Sequence, residues 1–103
     1  MKVEPVYSGE NNTIEANVII GYQFECPGCK SEHMFSTNLK FSPISWEFNG
    51  DINNPTFSPS LLVWRSEPTL RCHSFVKDGK IQFLMDCDHA LKGQVVPLPE
   101  IEP

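Results

Sequence analysis

Two cysteines in the stretch FECPGCKSEH have the types and spacing of metal ligands. Cys26 and Cys29 are separated by Pro-Gly, and a turn of this kind brings two thiolates to one ion. Two thiolates do not complete a tetrahedral site, so further donors must come from other parts of the chain. His33, four residues after Cys29, is one alternative donor.

The other two cysteines lie near the clearest hairpin of the sequence. Asp78-Gly79 is typical of a two-residue turn, and a hairpin around it places Cys72 opposite Met85. Cys87 then lies one diagonal step from Cys72 on the same face, which makes these two thiols a second ligand pair. The predicted zinc ligands are Cys26, Cys29, Cys72 and Cys87, with His33 and His89 as alternates.

A second interpretation of the same hairpin is catalytic. His73 faces the side opposite to Cys72 and lies beside Asp86. A catalytic zinc keeps one position open for water, and a nearby imidazole or carboxylate can move a proton there. If the chain is an enzyme, the candidates are His73, Asp86 and His89. No catalytic residue is assigned otherwise, because we find no Gly-rich phosphate loop, H-E-x-x-H or Ser-His-Asp motif.

The segment WEFNGDINNPTFSPS allows two interpretations. The first is an aromatic core strand followed by a loop that its prolines order. The second is that the loop over residues 49–60 is a binding site, since long ordered loops often carry function. In that case its polar side chains face a ligand: Asp51, Asn53, Thr56 and Ser58.

Short apolar and β-branched segments between Pro, Gly and Asn residues predict strands. These are Val18–Phe24, His33–Leu39, Ile44–Phe48, Ser60–Trp64, Arg71–Lys77, Lys80–Asp86 and Gln94–Leu98. Asn49-Gly50 indicates a two-residue hairpin, and His89–Lys92 before Gly93 indicates one helical turn. The predicted fold is all-β, a small zinc-stabilised antiparallel sheet or sandwich built from hairpins, with at most one short helical turn.

The totals of the chain agree with a small metal-stabilised domain. With 103 residues we predict a single domain over 1–103, with 1–12 and 98–103 as loose ends. A domain of this size buries little surface, so a metal is an expected supplement. The net charge of −5 argues against binding to duplex nucleic acid.

The sequence also carries expectations about location. It contains no apolar run long enough for a signal peptide or a membrane span, which predicts a cytoplasmic protein. In a reducing compartment, four cysteines are metal ligands more often than disulfides.

Three segments, CPGC, WEFNGD…NPTFSPSLLV and CHSFVKDGKIQFLMDCDHALKGQVVPLP, resemble a family of small proteins encoded by tailed phages and prophages. The similarity covers Phe24 to Leu98. Members are often given the name ammonia monooxygenase, which the residues here do not support. The resemblance implies a phage or prophage origin and action in the bacterial cytoplasm, and it assigns no catalytic residue. Its shared block contains Cys26, Cys29, His33, Cys72, His73, Asp86, Cys87 and His89.

The function predicted from these observations is a zinc-binding phage or prophage accessory protein. It acts by protein–protein interaction in the host bacterial cytoplasm, as a modulator of a host factor, and binds neither duplex nucleic acid nor membrane. The alternative is a metal-dependent hydrolase of a small molecule or nucleotide. A weaker alternative is a structural component of the virion.

Overall fold

A computed structural model describes residues 1–7, 18–40, 42–66 and 69–101. Its strands are β1 (Glu4–Tyr7), β2 (Ile19–Cys26), β3 (Ser31–Ser36), β4 (Glu47–Phe48), β5 (Phe57–Ser66), β6 (Thr69–Lys77), β7 (Lys80–Phe83) and β8 (Val95–Pro97). In these ranges the chain forms no helix, so the all-β prediction is confirmed. The described ranges likewise contain no helical segment with the length and hydropathy that a membrane span requires.

The strands form two antiparallel sheets. One has the order β1-β2-β3 and the other the order β4-β5-β6-β7-β8. The hairpin between β6 and β7 has the predicted two-residue turn, with Lys77 opposite Lys80. Asp78 and Gly79 both have positive φ, of 53° and 78°, as the favoured hairpin turns require.

Two local structures differ from those predicted. Because β7 ends at Phe83, Cys72 has no strand partner at Met85, and the Met85 side chain is 72 % exposed. The prediction of a two-residue hairpin at Asn49-Gly50 was wrong, since Phe48 pairs with Phe57 across a longer loop.

The longer loop between β4 and β5 has its own internal order. The Asp51 carboxylate accepts the backbone N–H groups of Asn53 and Asn54, at 2.9 and 3.1 Å. Such a side-chain turn offers the backbone an alternative to a tight hairpin.

Aromatic rings join the two sheets. Phe35 of β3 stacks on Phe57 of β5 with ring centroids 4.0 Å apart and nearly parallel planes. Phe48 stacks on the other side of Phe57 at 4.6 Å, and Tyr22 reaches Phe48 at 4.4 Å. Burial of such rings gives a small domain most of its apolar stabilisation. The two sheets are thereby fixed against each other along β2, β3 and β5.

Residues near both chain ends contribute to the core and contact each other. Leu98 and Val3 are buried, and the backbone N–H of Ile101 donates to the carbonyl of Met1 at 2.7 Å. The remaining residues of the predicted loose ends, 8–12 and 102–103, lie outside the described residues. The predicted helical turn, His89–Lys92 before Gly93, forms turns in which the Lys92 N–H donates to the His89 carbonyl at 3.2 Å.

Candidate functional site

Four potential metal donors from separate parts of the chain meet between the two sheets. They are the Sγ atoms of Cys26, Cys29 and Cys72 and a ring nitrogen of His89, all within 4.8 Å of one another. The three cysteines are buried, and all four cysteines of the chain are free thiols. A group of this composition can hold a metal ion.

The turn after β2 is built to present two of these sulfurs. The backbone N–H of Cys29 points at the Cys26 Sγ at 3.4 Å, and the N–H of Lys30 closes the turn on the Cys26 carbonyl at 2.8 Å. A side chain at Gly28 would overlap with the ring of His89. Glycine at this position therefore allows the imidazole to approach the turn closely.

Cys26 and Cys72 differ sharply in proton affinity. A hydrogen bond with Cys72, whose Sγ lies 3.9 Å away, is the main cause that lowers the pKa of Cys26 to about 4. The His33 ring and the Cys29 N–H lower that pKa further, against the opposing effect of burial. The same contact with Cys26, together with burial, raises the pKa of Cys72. The pair thus favours one thiolate, which is the form that binds metal.

His89 reaches this group from the loop between β7 and β8. Its Nε2 lies 3.5 Å from the Cys72 Sγ, and the backbone N–H of Leu91 donates to its Nδ1 at 3.2 Å. Phe83 packs on the ring in an edge-on arrangement, with centroids 4.5 Å apart. Because Nδ1 accepts from Leu91, Nε2 carries the ring proton and points towards the sulfurs. A metal bound at Nε2 would move that proton to Nδ1 and replace the Leu91 contact.

Two other predicted metal ligands lie outside the group of four donors. The Cys87 Sγ accepts the backbone N–H of His73 at 3.1 Å and donates to the His73 carbonyl at 3.0 Å. His33 is buried edge-on to Phe24, with Nδ1 3.1 Å from the carbonyl of Glu32. The predicted diagonal pairing of Cys72 with Cys87 does not form, because β7 ends before it reaches Cys87.

A second group lies on the opposite face of β6. The Ser60 Oγ is 2.9 Å from the His73 Nε2, and the His73 Nδ1 is 3.1 Å from the Asp86 Oδ2. An ionised carboxylate can only accept, so Nδ1 carries the ring proton and Nε2 is free to accept from the Ser60 hydroxyl. Serine, histidine and aspartate are thus linked in the order of a nucleophile, a base and the group that orients the base.

Strands from the five-stranded sheet hold these three side chains. Ser60 lies in β5 where the pairing with β6 shifts register, and its carbonyl accepts the indole N–H of Trp46 at 3.1 Å. His73 lies in β6, one residue after Cys72, so the two side chains leave the strand on opposite faces. Asp86 follows β7, and its carboxylate also lies 3.8 Å from a guanidinium nitrogen of Arg71.

Exposed apolar side chains lie around the Ser60 group, which consists of Ser60, His73 and Asp86. Leu62 lies directly opposite His73 on the neighbouring strand, and Leu62, Trp64 and Phe75 are exposed. A depression of about 350 Å³ lies farther along β5 and β6, and Ser60, His73 and Asp86 do not line it. It is lined by Thr56, Phe57, Ser58, Phe75, Val76, Lys77 and Gln82.

Sequence reasoning found part of this second group. His73 and Asp86 were candidates, and they do lie side by side, but Ser60 was missed and no Ser-His-Asp arrangement was recognised. His89, the third candidate, lies with the cysteines instead. No local motif could have revealed Ser60, because its position opposite β6 depends on a register shift between Phe57 and Leu61.

Polar side chains of the loop over residues 49–60 bind backbone groups of this loop and of the turn between β6 and β7. Asp51 caps two backbone N–H groups, and the Thr56 hydroxyl accepts the backbone N–H of Asp78 at 2.8 Å. Ser58 is exposed at the rim of the depression.

A protein-family model matches residues 6–84, and it describes a bacterial ubiquitination-like system serine protease, BubE. The match spans well over half of the chain. The chain belongs to the BubE family. Comparison with curated proteins found no match, and comparison with solved structures found none either.

Membership of the BubE family corrects the function predicted from the sequence. The predicted phage accessory protein, acting by protein–protein interaction, was wrong, because the matching family is described as a serine protease. The description of the family also contradicts the two alternatives, a metal-dependent hydrolase and a virion component. His73 lies on the face of β6 opposite to Cys72, where one ring nitrogen contacts the Ser60 hydroxyl and the other contacts the Asp86 carboxylate. The resemblance to phage and prophage proteins is a separate matter and stays a prediction.

Proposed function

We propose that this chain is a serine protease, with Ser60 as nucleophile, His73 as general base and Asp86 as the residue that orients the base. The observation that carries the proposal is the continuous contact from the Ser60 Oγ through the imidazole to the Asp86 carboxylate, at 2.9 and 3.1 Å. The description of the BubE family supports the same reaction class.

The reaction follows from these contacts. As the Ser60 Oγ attacks the carbonyl carbon of an amide bond, the His73 Nε2 takes the hydroxyl proton. The C–N bond then breaks, His73 gives that proton to the leaving amine, and the acyl group stays on Ser60 as an ester. Water attacks the ester with the help of the same base, which releases the acid and restores the hydroxyl. Asp86 keeps Nδ1 protonated and stabilises the imidazolium that forms in each half.

The partner in this proposal is a polypeptide substrate. Leu62 lies exposed opposite His73 on β5, and Phe75 lies exposed two residues further along β6, so they offer apolar contact to side chains next to the scissile bond. The family description places such proteases in a bacterial ubiquitination-like system, and we propose that the substrate is a protein of such a system. The net charge of −5 favours neither duplex nucleic acid nor an anionic membrane as a partner.

We further propose that the cysteine group holds zinc. Three thiolates and one imidazole form a common tetrahedral zinc site, and four protein donors leave no position open for water. The ion would therefore stabilise the fold and take no part in hydrolysis. Elemental analysis with X-ray absorption should find one zinc with three sulfur neighbours and one nitrogen neighbour. A four-sulfur shell, or no metal at all, would contradict this ligand set.

We also propose that the protease works in the bacterial cytoplasm. Its cysteines are free thiols, and thiols persist in a reducing compartment. Cell fractionation with an antibody against the chain would test this, and recovery in the periplasmic fraction would argue against it.

The proposed function is tested with p-nitrophenyl acetate, a small activated ester that acylates reactive serines. Ser60→Ala should lower the rate of ester hydrolysis by about 100-fold or more, because no other hydroxyl contacts His73 Nε2 in the described residues. Ser58→Ala is the matched control, an exposed serine of the same strand, and should keep the wild-type rate. Equal activity of Ser60→Ala and the wild type would refute the assignment.

A further inference from the structure

Cys87 is the cysteine that stands outside the group of metal donors. Its side chain is 3 % exposed, and its Sγ contacts both backbone groups of His73, at 3.1 Å from the nitrogen and 3.0 Å from the oxygen. Both contacts place this sulfur on the His73 backbone, and it is not among the donor atoms that lie within 4.8 Å of one another.

The contact between Cys87 and His73 lies where the strand pairing between β6 and β7 has ended. The strand β7 ends at Phe83, and the Leu84 N–H donates to the His73 carbonyl at 2.9 Å. Beyond that point side chains contribute to the contact between the two segments. Asp88 also binds both backbone groups of Arg71, through its carboxylate and through its own backbone N–H. The Arg71 N–H donates to the Asp88 carboxylate at 2.8 Å, and the Asp88 N–H donates to the Arg71 carbonyl at 2.9 Å.

Cys87 is also the next residue after Asp86. By binding the His73 backbone, Cys87 therefore fixes the backbone positions from which the His73 and Asp86 side chains extend, one relative to the other. Small displacements of a base from its nucleophile cost large factors in rate, since proton transfer needs hydrogen-bond distance.

From this geometry we infer that Cys87 is a positioning residue of the proposed Ser60 site, which holds His73 and Asp86 in register and does not ligate the metal. The inference rests on the proposed function. It predicts a loss in the chemical step, with the metal group left intact.

The test compares Cys87→Ala and Cys87→Ser in hydrolysis of p-nitrophenyl acetate, with zinc content measured on each protein. Cys87→Ala should lower kcat by about 10- to 100-fold with little change in KM. Cys87→Ser should restore kcat to within about threefold of wild type, because a hydroxyl makes both hydrogen bonds. Met85→Ala, a change at an exposed residue of the same loop, should leave kcat unaltered.

Loss of zinc from both Cys87 variants would overturn the inference, and so would an unchanged kcat in Cys87→Ala. If Cys87→Ala does not fold, cadmium-substituted wild-type protein decides. Proton–cadmium couplings should reach the β-protons of Cys26, Cys29 and Cys72 but not those of Cys87, and a coupling to Cys87 would refute the inference. Ser60→Ala separates the two proposals, because retained activity there removes the protease and leaves the cadmium result standing.

Discussion

Cys72 and His73 are neighbours in the chain whose side chains do different chemistry. The Cys72 Sγ joins the buried metal donors, and the His73 ring meets Ser60 and Asp86 on the exposed face of the same strand. Alternation along a β-strand makes this separation possible within one residue. A group of potential metal donors and the proposed Ser60 site therefore share β6 without sharing a residue.

Asp86 should matter for the rate even though it does not touch a substrate. Asp86→Asn offers an amide N–H to Nδ1 and favours the wrong imidazole tautomer, so kcat for p-nitrophenyl acetate should fall by about 100-fold or more. Asp78→Asn, a change at the exposed turn of the same hairpin, is the matched control. A rate for Asp86→Asn that equals the control rate would speak against a triad.

At the scale of elements, the Cys-Pro-Gly-Cys turn and the loop from Leu84 to Leu91 depend on each other. His89 lies against Gly28, and no side chain fits between them. The turn thus fixes where the imidazole can lie, and the loop carries both this imidazole and Asp86.

Gly28→Ala should therefore weaken metal binding. Its methyl group would displace the His89 ring, so the variant should lose zinc to a competing chelator at a lower chelator concentration than wild type, with a reduced Tm. Gly50→Asn is a suitable control, since Gly50 has φ 86°, no atom within contact distance, and asparagine tolerates this conformation. An affinity of Gly28→Ala equal to that of the control would show that the His89 ring does not depend on this approach.

The sequence was sufficient to predict local elements such as the turn between β6 and β7. It was not sufficient to predict the register between β5 and β6. The Asp78-Gly79 turn was predictable, because few dipeptides tolerate positive φ at both positions. The side-by-side placement of His73 and Asp86 followed from that hairpin. Ser60 did not follow, since β5 shifts register against β6. The predicted pairing of Cys72 with Met85 does not form, because β7 ends at Phe83.

At the scale of the whole molecule, the donor group ties the three-stranded sheet to the five-stranded sheet. Cys26 and Cys29 belong to the first sheet and its turn, whereas Cys72 lies in the second sheet. The aromatic stack around Phe57 provides a further connection between them.

Removal of the metal should unfold the chain. Structural zinc contributes on the order of 10 kcal/mol in small domains, which is as large as the whole stability of many domains. A strong chelator, or Cys26→Ser, should abolish the near-UV circular dichroism signal, and added zinc should restore the wild-type signal. An unchanged signal and Tm in the metal-free protein would show that the apolar core suffices.

The central claim is that Ser60 is an activated nucleophile, and its most direct test is covalent labelling with a fluorophosphonate followed by peptide mass spectrometry. The account predicts one adduct per chain, located on Ser60, and no adduct in His73→Ala, where the base is gone. Labelling at another residue, or a folded wild-type protein that does not react, would contradict it.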